Sequence, residues 1–202
     1  MKLGKLILIV LVVVVLAIGF VAFSLLHNGV SAKATPTPIE VMMARKARHM
    51  ALPSAARKLA NPVPATPENL RGGMLHFADH CAICHGNDGS CDTMMGSGLY
   101  PKPPDLRHEE TQKLSDGELF WIIENGVRFT GMPAFSTHHS SPDDSWKLVL
   151  FIRHLPQLTA DERMEMERYN PKGPDDRNEE QQEDDFLNGA APAPKPEEHH
   201  HH

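Results

Sequence analysis

Cys81-Ala82-Ile83-Cys84-His85 constrains this chain more than any other stretch. Two thiols separated by two residues, with a histidine directly after the second, match the pattern for covalent attachment of a c-type haem. In that chemistry both thiols add across the vinyl groups of the porphyrin, and the imidazole reaches the iron as proximal ligand. The pentapeptide occurs once, so one haem c is expected. Cys-x-x-Cys by itself also fits a redox dithiol or half of a zinc site. The dithiol calls for a strand–helix–strand setting. The zinc site calls for a second ligand pair, which Cys91 alone does not supply. With two of three cysteines taken by haem there is no disulfide framework, so a core and a cofactor must hold the fold. Maturation of such a haem places the domain outside the cytoplasm.

The ends of the chain differ in character. Residues 1–67 carry eight Lys/Arg against one Glu, residues 68–161 seven against thirteen acids, and residues 162–202 five against twelve. A basic front and an acidic back imply different surroundings for the two ends. Nucleic-acid binding is not expected, because no basic patch is interleaved with aromatics in the part that folds. Leu6 to Leu26 contain no charge, and at 1.5 Å per residue they span roughly 30 Å, the thickness of a hydrocarbon core. A cleavable signal has an apolar region of about 7–15 residues. An uncleaved transmembrane anchor is therefore expected over 1–30, although Val30-Ser31-Ala32 also reads as a cleavage site. Lys33, Arg45 and Lys46 follow the span, so basic residues flank both ends and leave the orientation open. The haem motif requires the C-terminal side to be exported.

Residues 31–66 read as a proline-rich basic tether. Thr35-Pro36-Thr37-Pro38 and Asn61-Pro62-Val63-Pro64 are stiff and extended. Between them Ile39 to Ala51 predict a short basic helix, either resting on anionic headgroups or a membrane partner, or serving as a solvated spacer. The folded domain is expected over 67–158. Thr66-Pro67 caps a first helix in which Gly73, Phe77 and Cys81 share a face at four-residue spacing. An irregular Gly/Pro-rich loop follows over 86–114. Ser115-Asp116-Gly117-Glu118 is a capping box for a helix closed by Asn125-Gly126. Ser141-Pro142-Asp143-Asp144 opens a last apolar helix through Trp146, Leu148, Val149, Phe151 and Ile152, stopped by Pro156. Thr159-Ala160-Asp161-Glu162 starts a short polar helix. The remainder of 159–202 is acidic and too poor in apolar residues to offset ordering entropy, and it ends in a histidine run compatible with a tag.

For the iron, His85 follows from its place in the motif. Met132 is the candidate second axial ligand, lying in Gly131-Met132-Pro133 rather than on a helical stripe. His138 and His139 compete with it, whereas Met74, Met94 and Met95 are placed worse. Cys91 is left over, as a part-buried thiol or a link between chains. His76, His80, His108 and His154 show no paired carboxylate or metal spacing in sequence, and are expected to be structural or solvent-facing.

Gly73, Phe77, Cys81, Cys84, His85-Gly86, Pro104-Asp105-Leu106, Gly131-Met132-Pro133 and the helix from Trp146 to Phe151 together resemble class I c-type cytochromes, in particular monohaem, membrane-anchored bacterial ones. The resemblance covers about residues 67–157. It implies an all-α fold wrapped around one covalent haem c, with Gly73 and Phe77 packed on Leu148 and Phe151. It also implies that the Pro104 carbonyl accepts a bond from the His85 ring, and that Met132 is the distal ligand. Cys91 departs from the pattern, since that turn usually has glycine.

The function implied is one-electron transport, iron cycling between ferrous and ferric between membrane respiratory partners. No catalytic residue or small-molecule substrate is expected. The haem domain is expected on the periplasmic face of the inner membrane. Two other readings remain: a haem-bearing subunit of a larger membrane oxidoreductase, and a haem enzyme or gas sensor with an open iron position.

Overall fold

A computed structural model describes residues 3–28, 31–136, 141–173 and 187. His138, His139, Val30 and most of the acidic tail lie outside the described residues. Among those described there are helices and no strands, as expected. The apolar run forms α1 (Leu3–Asn28), 26 residues and about 39 Å long. Its Leu3–Ser24 stretch has a mean hydropathy of 3.5, and none of it is buried against the rest of the protein. A core helix of a soluble protein would be covered; α1 is long and apolar enough to cross a membrane.

The domain is organised on the crossing of α3 (Pro67–His80) and α8 (Pro142–His154). Both begin as their sequences predict, with the Thr66 and Ser141 side chains accepting backbone N–H bonds at the first turn and proline just inside. At Gly73 a Cβ would fall onto the carbonyl of Lys147, so only glycine lets the two backbones meet. Phe77 and Phe151 fill the contact, ring centroids 5.1 Å apart and tilted by 58°. Ala78, Leu148, Val149 and Leu155 complete a core that excludes water.

α7 (Asp116–Asn125) packs beside α8, with Phe120 stacked on Trp146 at 4.0 Å. The Ser115 capping box forms as its spacing predicts. Between α3 and α7 the chain makes three single-turn helices, α4 (Ala82–His85), α5 (Met94–Ser97) and α6 (Glu109–Gln112). The last two lie in the stretch expected to be irregular. Arg153 bonds Asp116 and the carbonyls of Gln112 and Leu114, fastening α8 to the turn that leads into α7.

The packed body reaches beyond residues 67–158 on both sides. Upstream, α2 (Pro38–Ala51) forms with Thr37 as its cap, and a 3₁₀ turn follows at Ala56–Lys58. Leu52 and Ala56 are buried, and Gly117 has no Cβ because the carbonyl of Ala56 occupies that space. Arg57 pairs with the buried Glu118 at 3.3 Å, and Asn61 Nδ2 donates to the Trp146 carbonyl at 3.0 Å. The second half of the tether is thus docked rather than free. Downstream, α9 (Ala160–Glu167) starts at its Thr159 capping box and inserts Met166, wholly buried, into the core. Arg71 on α3 pairs with Glu165 on α9.

Candidate haem site

The site is built from the end of α3. Cys81 closes that helix, its N–H donating to the Phe77 carbonyl at 2.8 Å, and the next four residues turn once more as α4. Gly86 then leaves the turn with φ of +71°, a conformation L side chains rarely adopt. A single helical turn puts Cys81, Cys84 and His85 close in space. The N–H groups of Cys84 and His85 both donate to the Cys81 carbonyl, at 3.2 and 2.9 Å.

The chemistry of these three side chains separates the readings of the motif. A reactive dithiol carries a lowered thiol pKa. Here burial pushes the Cys81 thiol up to about 12, and it raises Cys84 as well. Neither cysteine is in a disulfide. Among the described residues no group of three His, Cys, Asp or Glu side chains is arranged to hold a metal ion, which removes the support a zinc site needs.

Burial pulls the His85 imidazole down to about 4, while a hydrogen bond to the Pro104 carbonyl pulls the other way. The ring is therefore neutral near pH 7. With one ring nitrogen occupied by that carbonyl, the other keeps a lone pair that can bind a metal. Phe77 lies against the ring, centroids 6.4 Å apart, so the helix crossing and the histidine share a wall. Half-exposed Ile83 and Met95 and the strongly exposed Phe129 are apolar surface that the polypeptide leaves uncovered, and the two thiols and the neutral imidazole are a donor set that fits a covalently held haem.

Met132 sits on the loop that follows α7. Gly126 begins it with φ of +64°, and a Cβ there would fall 2.6–2.7 Å from the backbone of Met132, Pro133 and Ala134. Val127 N–H donates to the Met132 carbonyl at 3.1 Å, and Thr130 Oγ1 accepts from Met132 N–H at 3.1 Å. Further on, Phe135 and Ser136 N–H bond back to Ile123 and Glu124 of α7, both at 3.1 Å. Gly131 packs under Leu99. The Met132 side chain is half-buried.

Residues 68–152 match the family model described as cytochrome C oxidase, cbb3-type, subunit III. This segment is a c-type cytochrome domain. Such a domain binds haem and transfers electrons. No significant match is found among curated proteins. A chain of the solved Kuenenia stuttgartiensis reducing HAO-like protein complex aligns at 23% identity with a TM-score of 0.43. The alignment covers 46% of this chain and 46% of that one, so this chain spans under half of that protein's length.

Two features of the cytochrome domain go beyond its motif. Cys91 takes φ of +66°, the backbone a glycine would supply. Its Sγ lies 2.7 Å from the Pro104 carbonyl and 3.5 Å from His85 Nδ1, so it shares the acceptor the ring uses. The resemblance to class I cytochromes puts glycine in this turn, and Cys91 takes the backbone that glycine would. The expectation that the outlying histidines lack carboxylates is corrected for three of the four. His154 meets Glu162 at 2.9 Å, His80 meets Asp79 at 3.1 Å, and His108 meets Asp105 at 3.5 Å. Those partners come from tertiary packing or from i±3 and neighbouring positions rather than from a metal-site spacing.

Proposed function

We propose that this protein is a membrane-anchored one-electron carrier holding a single haem c through Cys81 and Cys84. His85 and Met132 are its axial ligands, and its partners are membrane respiratory proteins. The observation that carries the reading is the turn at the end of α3, which presents two neutral thiols beside a neutral imidazole held by the Pro104 carbonyl. Haem supplies the one-electron couple when bound. His85 is oriented by the Pro104 carbonyl, and the Phe77–Phe151 pair excludes water behind it. Met132 is presented on a loop pinned at both ends, which suits a thioether meant to stay on iron through the redox cycle. α1 anchors the chain in the inner membrane with the haem domain on the periplasmic face.

A second reading makes the chain the haem-bearing subunit of a larger oxidoreductase. The description of the matching family, which names an oxidase subunit, favours considering it. Mild detergent extraction separates the two: a carrier elutes alone, whereas a subunit co-purifies in fixed ratio with further chains. Carbon monoxide tests the carrier chemistry itself. The reduced protein, as isolated, is expected not to bind it within seconds, and rapid binding would indicate an open iron position and an enzyme or sensor.

A further inference from the structure

The helix between the membrane span and the haem domain has two faces with different fates. One face is turned to the domain. Arg45 pairs with Glu110, the Tyr100 hydroxyl donates to Glu40 Oε1 at 3.0 Å, and Arg57 donates to the His49 carbonyl. Burial lowers the pKa of Arg48, with the Arg45 charge acting the same way. Most of the basic residues that sequence alone would offer to headgroups are therefore spent on the acidic domain. The other face carries Ile39, Met42, Met43, Lys46 and Met50, which at 3.6 residues per turn fall within one stripe. All four apolar members are exposed, Met50 at 77% and Ile39 at 66%.

We infer that this stripe seats in the headgroup–acyl boundary of the bilayer that α1 crosses, so that α2 lies flat as a second membrane contact. The inference rests on the anchor reading of α1. Three observations favour lipid as the occupant. Nine residues separate Asn28 from Pro38, a reach of at most about 30 Å, and a turn at Ser31–Ala34 shortens it further. α2 therefore cannot leave the vicinity of the membrane. The stripe's one charge is the cation Lys46, and Glu40 points elsewhere, held by its capping box and Tyr100. A cation at the edge of an apolar stripe matches an anionic interface. Finally, the domain already uses the opposite face, so it cannot cover this one.

The consequence is orientation. α2 is joined to the domain by the Arg45–Glu110 pair and by the buried Leu52 and Ala56, so a seated α2 fixes the domain's attitude to the bilayer. Tyr100 lies next to Leu99, which packs on Gly131 beside Met132. The membrane contact is thereby linked to the loop that carries the distal ligand.

The test uses the full haem-loaded chain in nanodiscs containing phosphatidylglycerol and a phospholipid with a diazirine near the top of its acyl chain. Photolysis is followed by mass-spectrometric mapping of lipid adducts. Adducts are expected both within 3–28 and within 38–51. In Met43→Glu/Met50→Glu the adducts in 38–51 should fall at least tenfold, with those in 3–28 and the haem spectrum unchanged. Adducts confined to 3–28 in the wild type would overturn the proposal and leave the anchor standing, as would 38–51 adducts that survive the double substitution. Absence of adducts on both segments would overturn the anchor reading and this inference with it.

Discussion

The two sides of the proposed haem site are built by different means. His85 is delivered by a covalent neighbour: Cys84 precedes it, α3 ends into it, and Pro104 and Phe77 hold its ring from behind. Met132 is delivered by a loop whose geometry depends on Gly126, Thr130 and backbone bonds to the end of α7. The first side needs the α3–α8 core. The second needs a correctly folded turn roughly fifty residues further along. Damage to the core should therefore loosen everything, whereas damage to the loop should free one coordination position and leave the domain standing.

The largest effect is expected from the motif. With Cys81→Ser and Cys84→Ser together, no haem should remain with the polypeptide after denaturing electrophoresis, as read by haem staining. Next comes Phe151→Ala, which removes the ring behind Phe77 and His85 and should cost about 3–5 kcal/mol in denaturant unfolding of the holoprotein. Gly126→Ala probes the other side. Its positive φ with ψ of −169°, a region nearly reserved for glycine, and the crowded Met132–Ala134 backbone should cost about 1–3 kcal/mol. The same substitution should let the reduced haem bind carbon monoxide far faster than the wild type. If Phe151→Ala opens the iron as readily as Gly126→Ala does, the two sides are not independent.

A pH titration sharpens the His85 side. Arg107 bridges Asp105 at 2.7 Å and Asp88 at 3.2 Å, tying the Pro104 loop to the turn after the haem motif. The Arg107 hydrogen bond holds the Asp105 carboxyl below its ordinary value of 3.8. Below that value the unfolded chain takes up a proton that the folded carboxylate resists, so this contribution is present above about pH 4 and is lost as pH falls. Unfolding midpoints measured from pH 6 down to 3 should decline, and Asp105→Asn should flatten the decline. The smallest effect is Cys91→Gly. It relieves a left-handed non-glycine residue, about 1 kcal/mol at most, and returns the Pro104 carbonyl to His85 alone. A more strongly held ring N–H makes the imidazole a better donor to ferric iron, so the midpoint potential should move down.

What could be read in the sequence followed the same division. The caps at Thr66, Ser115, Ser141 and Thr159 are local chemistry, a side-chain oxygen within three residues of the N–H it accepts, and each forms. Gly73 and Phe77 were legible because four-residue spacing places them on one face, and the crossing with α8 uses that face. Leu52, Ala56 and Met166 were not legible. None of them lies on a periodic apolar stripe that would mark it as core. Their burial is decided by distant partners such as Gly117. The direction of α2 was hidden for a related reason: its composition shows arginines, but only tertiary packing shows that they face Glu110 and Glu118. Of the proposed site, the His85 side is the part the sequence states most directly, because the proposed ligand and anchor are adjacent in the chain.

The central claim is a haem closed on both axial positions, by His85 and Met132. The most direct test is the oxidised-state absorption spectrum of Met132→Ala beside the wild type. The account predicts that the wild type shows a low-spin haem with a sulfur-to-iron charge-transfer band. In the variant that band should vanish, the iron should turn high-spin, and the covalent haem should stay in place. An oxidised spectrum unchanged by Met132→Ala would contradict the account and remove Met132 as the distal ligand.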